Sequence, residues 1–102
     1  MARVIKEDGK EYVLKIPPDP LLFVSTIQDC IGGRFGFVRL NSDFSIIILE
    51  AHQDGSIWEM NIGVNEKASK ILKDSWDVVM PVAGTAIFLD EEDHDDLRGI
   101  VV

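Results

Sequence analysis

The chain has 102 residues, enough for one small domain with one core, and its 46% apolar content separates it from disordered sequences. The formal charge is −8, and no cluster of Lys and Arg offers the basic face that phosphate neutralisation needs, so direct nucleic-acid binding is not expected. No apolar run approaches the ~18 to 20 residues of a membrane span, the opening MARVIKEDGKEYVLKI lacks an apolar signal core, and one cysteine, Cys30, makes no internal disulfide, so a cytoplasmic, membrane-free protein is expected.

In chain order, Val4 and Ile5 open a strand, Asp8-Gly9 reads as a hairpin turn, and Tyr12 begins a second strand reaching Ile16. The PPDP segment ends the sheet pattern, because proline cannot donate to a ladder. Asp19 followed by Pro20 predicts a helix start. Leu21, Val24, Ile27, Gln28 and Ile31 follow at helical spacing, with Leu22 and Cys30 widening the apolar face. Gly32 stands where a left-handed terminal residue is expected.

RFGFVRL and FSIIILEA read as a strand pair around Asn41-Ser42-Asp43. The second run, 44–51, is apolar on both faces and predicts a central strand covered on each side or placed at a subunit contact. QDG makes the next turn, and SIWEMNIGV is predicted as a further strand. Asn65 caps a second helix with Ala68, Ile71 and Leu72 inside and Lys67, Lys70 and Lys73 outside. DVVMPV leads into the strand GTAIFL, and 97–102 is expected as a last helical turn or an edge strand. The predicted class is α+β, with a mainly antiparallel sheet, two helices and the order β-β-α-β-β-β-α-β in one domain over 1–102.

The helix ending in two glycines, the strand pair leading to Glu50, Asp54-Gly55, Asn61 to Asn65 ahead of Ala68, and AGTAIFL together resemble a domain-of-unknown-function family of small phage and mobile-element proteins. The resemblance runs over 21–89. It implies a setting in a bacterial host cell, where accessory and counter-defence roles are expected over metabolism, and it supplies no activity. PPDP and the acidic DEEDHDD fall outside it.

Gly32, Gly33 and Gly36 follow a helix and precede a strand, the reverse of a phosphate-cradling or dinucleotide loop, and no Gly-Lys pair follows. They read as a helix stop, with Gly36 as a bulge or close backbone approach. The segment 90–96 holds six acids, Asp90, Glu91, Glu92, Asp93, Asp95 and Asp96, around His94. It lacks the spacing of a calcium loop and reads as a solvated acidic loop able to occupy a basic groove on a partner. His52 and His94 lie too far apart for a zinc pair, Cys30 has no base beside it, and no triad assembles from spacing, so no catalytic residue, metal or cofactor is expected. The expectation is therefore a non-enzymatic accessory protein, a homo-oligomer that binds and inhibits a host protein through those six acids. A second reading is a sponge for a nucleotide-type signal held by Arg34, Trp58, Asn61 and Asn65, and a third is a phage structural or assembly component.

Overall fold

A computed structural model describes residues 2–17 and 19–96, together with the side chains up to Asp93. The expectation for 97–102 lies outside the described residues. The strands are β1 (Ala2–Ile5), β2 (Glu11–Leu14), β3 (Phe35–Arg39), β4 (Ser45–Leu49) and β5 (Ala86–Leu89). The helices are α1 (Pro20–Ile31), α2 (Glu66–Trp76) and α3 (Glu91–Asp96). One sheet has the order β2-β1-β5-β4-β3, and each neighbouring pair is antiparallel. The α+β class with a mainly antiparallel sheet holds.

The period of two along each strand sends alternate residues to opposite faces. Ala2, Val4, Ile47, Leu49, Ile87 and Leu89 face α1, whose Phe23, Ile27 and Ile31 pack onto them. Ile5, Ile46, Ile48, Ala86 and Phe88 face α2, which contributes Ala68 and Leu72. All five residues of β4 are buried, because its neighbours cover its edges and a helix covers each face. The two-sided apolar run is thus accounted for inside one chain. The sequence feature that suggested an oligomer has an intramolecular explanation.

Three local expectations change. The buried stripe of α1 is Phe23, Ile27 and Ile31, at intervals of four, while Leu21, Leu22 and Val24 are exposed. Phe23 sets this rotation by meeting Phe35 edge-on at 6.3 Å, and Phe35 in turn meets Phe37 at 5.7 Å. SIWEMNIGV is no strand: Ser56–Glu59 forms a 3-10 turn, and Val64 makes a single bridge to Ala83. Its apolar residues do not alternate, since Ile57 is buried but Trp58, Glu59 and Met60 are all exposed. The expected solvated loop at 90–96 contains α3, entered through a reciprocal cap in which Asp93 N–H donates to Asp90 Oδ1 and Asp90 N–H to Asp93 Oδ2, both at 3.0 Å. The Asp19 cap and the Gly32 stop, with φ at 89°, hold as expected. Gly36 continues the β3–β4 register without a bulge, and its close neighbour is the Gln53 side chain.

On the α2 face, Glu11 of the edge strand β2 receives Arg3 from β1 and, at 2.6 Å, the Lys67 ammonium from α2. The hydrogen bonds from Arg3 and then Lys67 hold its carboxyl at about 2, below an ordinary value of 4.5. A carboxyl depressed in the folded state stabilises the fold above its unfolded value, and that contribution is lost as pH falls through the folded one. Glu11→Gln should therefore lower the urea midpoint at neutral pH and converge on the parent chain as pH falls from 4.5 to about 2. An equal difference at both ends of that range would show that the ion pairs contribute nothing.

Candidate functional site

The antiparallel register divides the molecule into two ends. Phe35 lies opposite Leu49 and Ile5 opposite Ala86 at one end, whereas Ser45 lies opposite Leu89, just before α3, at the other. The first end gathers the β1–β2 turn, the α1–β3 loop and the long connection from β4 to α2. Those connections are tied to one another.

Glu50 N–H donates to the Arg34 carbonyl at 2.9 Å, which joins the start of the long connection to the α1–β3 loop. Glu7 Oε1 accepts from Gly63 N–H at 2.9 Å, and any Cβ at Gly63 would come within 2.1 Å of that oxygen. His52 Nδ1 lies 2.8 Å from the Leu49 carbonyl, and Ala83 N–H donates to Nε2 at 3.1 Å. A ring nitrogen that accepts an N–H carries no proton, so the other nitrogen holds it. His52 is thus the neutral Nδ1–H tautomer, donating to Leu49.

Between the loop and the connection lies a cleft of about 440 Å³. Gly32, Gly33 and Arg34 form one wall; Glu50, Ala51, Gln53, Asp54 and Met60 form the other, with Leu49 at the base. The Arg34 guanidinium is exposed and makes no hydrogen bond or ion pair with the described residues. The Ser56 hydroxyl, and then the Ser56 backbone N–H that donates to Asp54 Oδ1 at 2.9 Å, hold the Asp54 carboxyl below its ordinary range. The Gln28 carbonyl, in the last turn of α1, accepts Gly32 N–H at 2.7 Å, and that helix end carries the negative pole of the macrodipole. One cation therefore meets two carboxylates and a negative helix end. The cleft is electronegative, and Arg34 is partly its internal counter-charge.

The four residues expected to hold a nucleotide do not assemble. Arg34 lines the cleft, Trp58 stands edge-on to His52 at 6.3 Å with half its surface exposed, and Asn61 is exposed outside the lining. Asn65 is fully buried. Its Nδ2 donates to the carbonyls of Ile5 at 2.9 Å and Gly84 at 2.8 Å, and its Oδ1 caps α2 by accepting Ala68 N–H at 3.0 Å. It is a structural residue. Trp76 is likewise half-buried, stacked on Phe88 at 5.7 Å.

The six acids of 90–96 do not form one surface. Asp93 is buried against Asp90, and burial pushes its carboxyl up. Glu91 and Glu92 are exposed; the side chains of Asp95 and Asp96 lie outside the described residues. Cys30 is half-buried and its sulfur lies 3.2 Å from the Tyr12 hydroxyl. Among the described residues, no three His, Cys, Asp or Glu side chains converge as metal ligands would, and no helix is long and apolar enough to cross a membrane. Glu50, Gln53, Asp54 and Met60 were not singled out by spacing; their signal is the polar break EAHQDG immediately after the most apolar strand.

No protein-family model, curated protein or solved structure matches the chain.

Removing the Asn65 carboxamide leaves two buried carbonyls and one helix N–H without their partner. Asn65→Ala should cost about 3 kcal/mol in chemical denaturation. Asn65→Asp keeps the cap but turns a carboxylate oxygen towards two carbonyls, so at neutral pH it should be no more stable than the alanine variant. Recovery of stability in the aspartate variant would assign the whole effect to the cap.

Proposed function

We propose that this chain works by binding and not by catalysis, and that the cleft between Arg34 and Asp54 receives a basic segment of a partner protein. The observation that carries this reading is the electronegative lining: Glu50, Asp54 and the carboxyl end of α1 against the single cation Arg34. A Lys or Arg side chain entering there meets favourable charge, and Leu49, Ala51 and Met60 give its aliphatic stem an apolar surface. A phosphate would meet two carboxylates for one guanidinium, which counts against the nucleotide sponge.

Two further observations favour binding over chemistry. Both ring nitrogens of His52 are engaged by backbone groups, and the Cys30 thiol is paired with a phenol and not with a base. In the phage or mobile-element setting that the resemblance suggests, the partner is a host component, and occupying its basic surface inhibits it. The contact expected at 90–96 moves to the cleft in this proposal, because Asp90 and Asp93 are engaged with each other.

A Lys- and Arg-rich peptide, titrated by calorimetry at low salt, tests the assignment. Glu50→Gln with Asp54→Asn should weaken it about tenfold, while Glu91→Gln with Glu92→Gln should leave it unchanged. Equal weakening by both pairs would return the contact to the acidic segment. Thermal stabilisation by a nucleotide, abolished in Arg34→Ala, would replace this reading with the sponge. A pull-down from infected cells that recovers virion proteins and no host protein would favour the assembly role instead.

A further inference from the structure

The cleft's outer wall is anchored at one point by an imidazole whose two nitrogens play opposite roles. Nδ1–H donates to Leu49 at the end of β4, and Nε2 accepts from Ala83, just ahead of β5. His52 thus bridges the long connection to the sheet, and the ring lies edge-on to Trp58 of the following turn. Ala83 is fully buried, so its N–H has no water to turn to. We propose that His52 is a proton-sensitive latch that holds the cleft wall closed in its neutral form and releases it when protonated.

A proton taken from solvent onto Nε2 makes that nitrogen a donor. The imidazolium Nε2–H then faces Ala83 N–H, donor against donor, and the hydrogen bond is lost. Ala83 N–H regains a partner only if the ring swings away, which removes one tie from the connection carrying Glu50, Gln53 and Asp54 and leaves the bond from Glu50 N–H to the Arg34 carbonyl. The charged groups at this end of the sheet are Glu50, Asp54 and Glu59 on the same connection, Arg34 before β3, and Lys6, Glu7, Asp8 and Lys10 of the β1–β2 turn, where Glu7 accepts from Gly63 N–H. The segment 78–89, which carries Ala83, holds no titratable side chain. None of these groups forms an ion pair with the imidazole among the described residues, so no neighbouring carboxylate holds the protonated ring in place.

The latch itself is independent of what the cleft binds; its role as a regulator rests on the binding proposed above. Long-range proton–nitrogen spectra of the full chain at about pH 8 should show His52 as the Nδ1–H tautomer, and an Nε2–H tautomer overturns the latch. As the pH is lowered from about 8, the protection factor of the Ala83 amide should fall on the order of tenfold, the equivalent of one hydrogen bond, with the same midpoint as the His52 ring signals. His52→Gln keeps an acceptor near Ala83 and removes the titration, so its protection should stay level. A ring that titrates without loss of protection, a ring that stays neutral throughout, or an equal loss in the glutamine variant overturns the proposal. Should that variant not fold, coincidence of the two midpoints in the parent chain decides. A latch that opens while the basic peptide binds at no pH leaves the latch standing and removes only the cleft's assigned role.

Discussion

Asn65 hydrogen-bonds three parts of the molecule that are distant in sequence: the end of β1, the turn before β5 and the first turn of α2. A single carboxamide with two donors and one acceptor satisfies three backbone groups inside a core that admits no water. Much of the sheet's first end follows from it. Asn65 N–H also donates to the Val82 carbonyl at 2.7 Å, while Ser69 Oγ donates to the Asn65 carbonyl at 2.9 Å and accepts Val82 N–H at 2.9 Å. The start of α2 is thereby fixed to the approach to β5, and the connection between β4 and α2 has to loop outward to reach it. That loop is the cleft wall.

What was legible in the sequence follows from how local its causes are. The Asp8-Gly9 turn, the Asp19 cap, the Gly32 stop and the Asn65 cap each depend on the backbone needs of adjacent residues, and each is readable there. β4 was readable because a strand buried on both faces carries apolar residues at successive positions, as 46–49 do. The rotation of α1 was not, because Phe23 is chosen over Leu22 and Val24 by the aromatic side of β3, which no spacing rule within the helix contains. SIWEMNIGV misled for a related reason. Its composition suits a strand, but the Glu7 clamp at Gly63 and the Asn65 cap fix both the path and the end of the segment, so Val64 makes only an isolated bridge to Ala83, ahead of β5.

The candidate site was less legible than the fold. Arg34 was found because a charged residue directly after a glycine helix stop projects from a turn. Asn65 was legible as a cap but not as a buried clamp, because an asparagine looks the same in a sequence whether its amide meets a ligand or a buried carbonyl. Glu50 and Asp54 acquire their meaning only when β4 is placed beside β3, which brings 50–54 up to 32–34 across a strand pair. The acidic run attracted attention by its density, yet folding turns part of it inward, since a short helix with acids at its start can cap itself.

β5 is among the last described elements along the chain, yet it lies in the middle of the sheet, pairing with β1 on one side and β4 on the other. During synthesis the β1–β2 and β3–β4 hairpins therefore emerge as two separate ribbons, each with one apolar edge waiting for the same missing partner. The core on both faces can close only when 86–89 arrives and is inserted between them, after both helices that cover it have been made. Such a topology postpones cooperative folding until β5 has been made. A product interrupted before β5 would hold two hairpins with unpaired edges and no common core.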